Sequence, residues 1–283
     1  HNPLGDEAAI DGTTRDDLVA FWRRAYRPEH SVLVVSGDIK ADAALALAKA
    51  ALANWRAGAP APAGQRPAMK GTGARLVLVD KPGAPQTALV AIAAGPRATD
   101  PQLPALSVAN AALGGNFTSR LNQNLREVKG YTYGIHSQFR PGREVGSFVI
   151  RSGLRTEATA PAVTELVKEV TQFLAAPMGR EELTRARNSQ LLSLPGSFDT
   201  NDAIAASYAD AWIKDLPLDY IPHLPKQLAA VDSRGAHAAF RSHLRLSDLI
   251  FVAVGDRAVI GQPLQALELG PMEVRNTRGQ PIH

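Results

Sequence analysis

Cysteine is missing from all 283 residues, which excludes thiolate metal sites and cysteine nucleophiles and suits an oxidising compartment. Long apolar runs are missing too. The best, Thr87 to Ala94, falls well short of the ~20 residues that a bilayer-spanning helix needs. Charge of one sign is not concentrated in the sequence: the net value is +4, and Lys and Arg are scattered rather than gathered in runs. That pattern argues against nucleic acid as a ligand, because phosphate neutralisation calls for clustered positive charge. Histidines stand at His1, His30, His136, His223, His237, His243 and His283. No two of them have the four-residue spacing, with Glu between, that places imidazoles on one helical face to hold zinc. Serine follows glycine in "PGSFD" (195–199) and "VGSFV" (145–149), but neither has the spacing of a nucleophile elbow. "LGGN" (113–116) lacks the Lys and Ser/Thr of a phosphate loop and reads as a helix cap and turn.

What is present is the composition of a globular protein, 45% apolar and 20% charged, with length for about two domains. Leu18, Phe21, Trp22 and Ala25 form one face of a helix over Arg15 to Tyr26, with Thr13 and Thr14 as candidate caps. "SVLVVSGD" (31–38) reads as a buried strand, and Ala41 to Trp55 as a second helix. A Gly- and Pro-rich linker follows at 59–73. Beyond it "ARLVLVD" and "QTALVAIAAGP" read as strands joined across "KPGAP". Helices are expected over Leu103 to Leu113 and Thr118 to Lys129, the latter capped by Gly130. "YTYGIHSQF" and "VGSFVIRSG" form a hairpin around "RPGR". Further helices run over Glu157 to Ala175, Gly179 to Leu192, Asp199 to Ile213 and Ser233 to His243, and "DLIFVAVGD" is the last strand. Glu181 and Glu182 sit early in a helix, where carboxylates favour the dipole. Grouped strands and grouped helices indicate an α+β fold, helices packed on one face of an antiparallel or mixed sheet.

An internal repeat points to duplication. "FWRRAYRPEHSVLVVSGD" and "FRSHLRLSDLIFVAVGD" share a helix end, a polar bridge, an apolar strand and a Gly-Asp turn, at an offset too long for a solenoid. The expectation is that 1–58 is the C-terminal part of a first domain and 74–283 a complete second one.

The stretch "LGGNFTSRLNQNLREVKGYTYGIHSQF" (113–139) resembles the second half of the M16 peptidases, the pitrilysin, insulinase and mitochondrial processing peptidase family. "RRAYRPEHSVLVVSGDI" and "HNPLGDEAAIDGTTRDDLVAF" are similar to the end of that family's first domain. The resemblance implies a zinc peptidase of paired α+β domains around a chamber, with zinc and a general base on the first domain and an Arg and a Tyr contributed by the second. Carried onto this sequence these are Arg126 and Tyr133, while Tyr131 is a packing residue. Zinc is then expected in an N-terminal part preceding His1 or in a partner subunit, none being held by this chain. A peptide substrate, a zinc-bearing domain or homologous subunit as partner, and a periplasmic location (cytoplasmic as the alternative) complete what the resemblance implies. A non-catalytic scaffold or peptide-binding subunit of the same fold is the other reading it allows.

Overall fold

The computed structural model describes residues 5–56 and 75–282, so the expected linker at 59–73 lies outside the described residues. The described residues group into two compact units, 5–56 with 199–210, and 75–198 with 211–282.

In the first unit the helices are α1 (Glu7–Gly12), α2 (Arg15–Ala25) and α3 (Ala41–Ala51). A capping box starts α2: the Asp17 amide donates to the Thr14 hydroxyl at 3.2 Å, and the Thr14 amide donates to the Asp17 carboxylate at 2.9 Å. The stripe of Leu18, Phe21 and Trp22 forms as the periodicity predicts, yet each of the three stays at least half exposed. Residues 31–36 correct the expectation of a buried strand. They are extended but belong to no ladder, and Leu33 and Val35 are exposed. A strand is completed by its neighbour, and no second strand lies in this unit among the described residues.

The second unit is built on six strands: β1 (Leu76–Asp80), β2 (Gln86–Gly95), β3 (Thr132–Arg140), β4 (Gly146–Arg155), β5 (Ile250–Gly255) and β6 (Met272–Arg275). Their order is β3-β4-β2-β5-β1-β6. The β3–β4, β4–β2 and β2–β5 pairs are antiparallel, while β5–β1 and β1–β6 are parallel, so the sheet is mixed. Strands β1 and β2, joined across "KPGAP" as expected, are not neighbours, because β5 lies between them. Its run IFVAVG is apolar on both faces and suits a central position.

Around the sheet stand α4 (Leu103–Asn110), α5 (Thr159–Ala175) and α6 (Arg180–Ser193), then α8 (Tyr220–Ala229), α9 (Ser233–His243) and α10 (Arg257–Gln265), while most of α7 (Asn201–Ile213) belongs to the first unit. Helices α8 and α10 were not foreseen. Each contains a proline, Pro225 and Pro263, which reads in sequence as a break.

Alternation along the strands sends Leu76, Leu78, Leu89, Ala91, Ile135, Phe148, Ile150, Leu154 and Phe251 into one core with Val163, Leu166, Val170, Phe173 and Phe240 from the helices. Phe240 is its hub, with ring centroids 4.9 Å from Phe173 and 5.9 Å from Phe148 in edge-to-face contact. Only one sheet face is packed this way. Arg151, Gly153 and Arg155 of β4, and His136, Gln138 and Arg140 of β3, are exposed on the other. No helix among the described residues is long and apolar enough to cross a membrane.

Candidate functional site

The helix leading to the candidate arginine is anchored by Leu121 and Leu125, both without exposure. Over Asn122–Val128 its hydrogen bonds widen to a π-type turn. It ends at Gly130, whose φ of +62° is the left-handed conformation glycine adopts without penalty. The Gly130 amide donates to the Arg126 carbonyl at 3.1 Å, and the Tyr131 amide reaches back to the Leu125 carbonyl at 2.9 Å. That reversal carries the chain from Arg126 into β3 and toward Tyr133, while Tyr131 packs against the core.

Arg126 is held from two sides. Its guanidinium carbon lies 4.3 Å from the centroid of the Phe117 ring, and its Nε is 3.4 Å from a Glu127 carboxylate oxygen.

Tyr133 is 86% exposed because the strand bulges beneath it. Between Thr132 and Ile135 β3 advances three residues while its partner moves two, from Leu154 to Ser152. Such an insertion re-aims a side chain. The bulge is secured by hydroxyls: Thr132 donates to the Gly153 carbonyl at 2.7 Å and accepts from the Gly134 amide at 3.0 Å. Ser152 reaches Thr132 Oγ1 at 2.9 Å and the Gly134 carbonyl at 3.0 Å.

Helix and strand are tied together by Asn122. Its Nδ2 donates to the Ile135 carbonyl at 2.8 Å and its Oδ1 accepts from the Ile135 amide at 3.1 Å. Asn110 adds a bond from Nδ2 to the Ser137 carbonyl at 2.9 Å.

Arg126 and Tyr133 line one groove of about 370 Å³, together with Glu127, Gln86, Gly153 and Arg155. Gly153 leaves its floor open, since a Cβ built there would meet only the Gln86 carboxamide oxygen at 3.7 Å. Two guanidiniums face one carboxylate in this lining, so the groove suits carbonyl or carboxylate oxygen. A larger cavity of about 410 Å³ lies between β3 and helices α4, α6 and α8, with no Asp, Glu, Lys or Arg in its lining.

Phe117, Asn122, Thr132 and Ser152 escaped the sequence reading. A polar amide at Asn122 in mid-helix was the one available signal, since such a residue competes with helical bonding unless it has work elsewhere. Glu182 also differs from expectation. It does more than favour a helix dipole, because its carboxylate receives both Nε and Nη2 of Arg120 at 2.6 and 2.7 Å. That fork, offset by burial, raises the Arg120 pKa.

Among the described residues no group of three or more His, Cys, Asp or Glu side chains lies close enough to hold a metal ion. Two of the histidines there are engaged elsewhere. His243 Nε2 meets Asp100 at 2.8 Å, and His237 Nε2 meets the Leu174 carbonyl at 3.1 Å. Zinc does not fit the donors these residues present.

A family model described as the peptidase M16 inactive domain matches residues 13–190. A Mycobacterium tuberculosis protein, named an uncharacterized zinc protease, is 28% identical over 190 residues, 65% of this chain and 41% of its own length. A Helicobacter pylori protein named a non-peptidase homolog is 25% identical over 147 residues, 51% of this chain and 34% of its own length. Among solved structures, the peptidase M16 inactive domain from Pseudomonas fluorescens superposes with a TM-score of 0.82 at 28% identity, over 90% of this chain and 60% of the other. The chain thus spans less than half the length of the mycobacterial relative. With a matching family model over most of its residues and the same layered fold, the chain belongs to the M16 peptidase family, through that family's inactive domain.

Proposed function

We propose that this chain serves peptide hydrolysis in trans to its own residues: Arg126 and Tyr133 hold and polarise a peptide whose cleavage is carried out on a zinc-bearing M16 domain. That domain belongs to the same polypeptide or to a partner subunit. In this reading 1–58 is the tail of a first domain and 74–283 the whole of a second. The observation that carries the proposal is the shared groove, with a phenol aimed outward by a bulge and a guanidinium steadied on an aromatic ring.

Zinc bound in the other domain would supply an activated water. What this chain's residues do follows from their chemistry. As charge builds on the carbonyl oxygen under attack, the Tyr133 hydroxyl donates to it more strongly than to the ground-state carbonyl, which lowers the barrier rather than merely improving affinity. The Arg126 guanidinium, permanently charged and forked, fixes a neighbouring carbonyl or carboxylate of the peptide. A periplasmic setting fits the lack of cysteine.

The test is hydrolysis of a peptide by the chain combined with its zinc-bearing M16 counterpart. Tyr133→Phe lowers kcat by about 10²- to 10³-fold, the usual cost of one oxyanion donor, and leaves KM nearly unchanged. Equal kcat in the variant would refute the catalytic role.

The similarity to the non-peptidase homolog favours a second reading, in which the same groove binds peptide without taking part in cleavage. It holds if the combined proteins bind peptide through Arg126 yet hydrolyse nothing.

A further inference from the structure

From the open face of the sheet we infer that this chain selects acidic peptides, along a cationic track that leads into the Arg126–Tyr133 groove. The scattered charges of the sequence become a stripe once the strands are paired. On β4, Arg151 and Arg155 point to the exposed face, four residues and so ~13 Å apart. On β3, Arg140 stands opposite Ser147, and His136 opposite Arg151. Neither β2, β3 nor β4 contains a single Asp or Glu. From Arg155 to the level of Arg140 the stripe extends eight residues, ~27 Å, a length that an extended peptide of similar residue count covers.

The cations are poorly neutralised. Arg151 has no hydrogen-bond or ion-pair partner among the described residues. Among the described residues Arg140 Nε meets only the Gln138 carboxamide, at 3.2 Å. Arg155 pairs with Glu157 at 3.4 Å, both groups being more than half exposed. Exposed pairs of this kind contribute little, so a ligand carboxylate displaces Glu157 readily. Arg155 belongs to both the stripe and the groove lining, which joins the two.

Like charges lined up on a face repel one another and attract an anionic partner, giving specificity and faster encounter. The ligand is therefore an extended peptide with Asp or Glu side chains flanking the bond presented at Tyr133. The direction of travel rests on the function proposed above, whereas the preference for acidic chains does not.

The experiment is a fluorescence-anisotropy titration of the full chain with three fluorescein-labelled probes. They are a peptide with glutamate at alternate positions, its lysine counterpart, and an oligothymidylate of equal negative charge. The expected result is that the glutamate peptide binds at least about tenfold tighter than the lysine peptide. The Arg151→Glu/Arg155→Glu variant should lose that preference, and salt should weaken the binding, as for exposed charges. Equal affinity for the two peptides, or unchanged affinity in the variant, overturns the inference. Tighter binding of oligothymidylate than of the glutamate peptide overturns it as well, by assigning the track to nucleic acid. The milder Arg151→Gln/Arg155→Gln pair decides the matter if circular dichroism shows the reversed charges disturbing the sheet. Since the titration reads binding without hydrolysis, its failure is separable from a missing Tyr133→Phe effect on kcat.

Discussion

Replacing Thr132 by Val removes one hydroxyl and keeps the β-branched shape that suits a strand. The position is only 8% exposed, so water cannot take over the broken bonds freely. The Gly134 amide loses its acceptor at 3.0 Å and the Gly153 carbonyl its donor at 2.7 Å. Gly134 and Gly153 are themselves exposed, so water compensates in part, and each of the two lost bonds costs its net worth of ~0.5–1.5 kcal/mol. At ~2 kcal/mol, a unit of this size should melt about 4–8 °C lower. Thr132→Ser keeps the hydroxyl and forfeits one methyl, about 1 kcal/mol, so it should melt between the two. Calorimetry gives the melting temperatures, and amide hydrogen exchange reports on Gly134 itself. The Val variant should exchange that amide faster, and in the combined peptidase assay kcat should fall with KM little changed, since the phenol is no longer fixed. If Thr132→Val melts with the parent and Gly134 keeps its protection, the hydroxyl does not hold the bulge and the reasoning fails.

Phe117→Ala removes the ring beneath Arg126, an exposed cation–π contact worth ~0.5–1 kcal/mol, and should raise KM about two- to fivefold with kcat almost intact; steady-state kinetics decides. Gly130→Ala forces a side chain into a left-handed conformation at a cost of ~1–2 kcal/mol, visible as a lower denaturant midpoint, and since no atom lies near the added Cβ the loss comes from backbone strain alone. The Glu165 carboxyl is held below the ordinary glutamate range, foremost by the Asn124 amide and then by Lys168 and Lys129. The folded protein thus takes up that proton less readily than the unfolded chain, so the stabilisation is complete above the ordinary glutamate pKa and disappears as pH falls through the lowered value. Asn124→Ala should flatten this acid limb in urea midpoints measured across pH; an unchanged limb would count against the assignment.

That Arg126 and Tyr133 share one groove was legible because the Leu-Arg-Glu to Tyr spacing lies within one short stretch, as do the helix face of Leu18 to Trp22 and the hairpin around "RPGR". What stayed hidden depends on partners distant in the chain. Nothing near Thr132 announces that Ser152 and Gly153 will lie beside it, and nothing near Asn122 foretells the Ile135 backbone. The place of β5 between β1 and β2 is likewise a matter of pairing over more than 150 residues, which an apolar run cannot encode by itself. Residues 31–36 teach the converse: their valines satisfy a strand's composition, but composition supplies no hydrogen-bonding neighbour.

The two carboxamides along β3 determine how other chains can approach it. An exposed border of a sheet ordinarily invites a foreign strand to zip on, as a substrate or as the seed of an aggregate. Here Asn122 fills both backbone positions at Ile135, and Asn110 takes the next carbonyl, so that stretch of the border is already closed by the protein's own side chains. A visiting peptide is turned away from that stretch of the rim and toward the open face of the sheet instead.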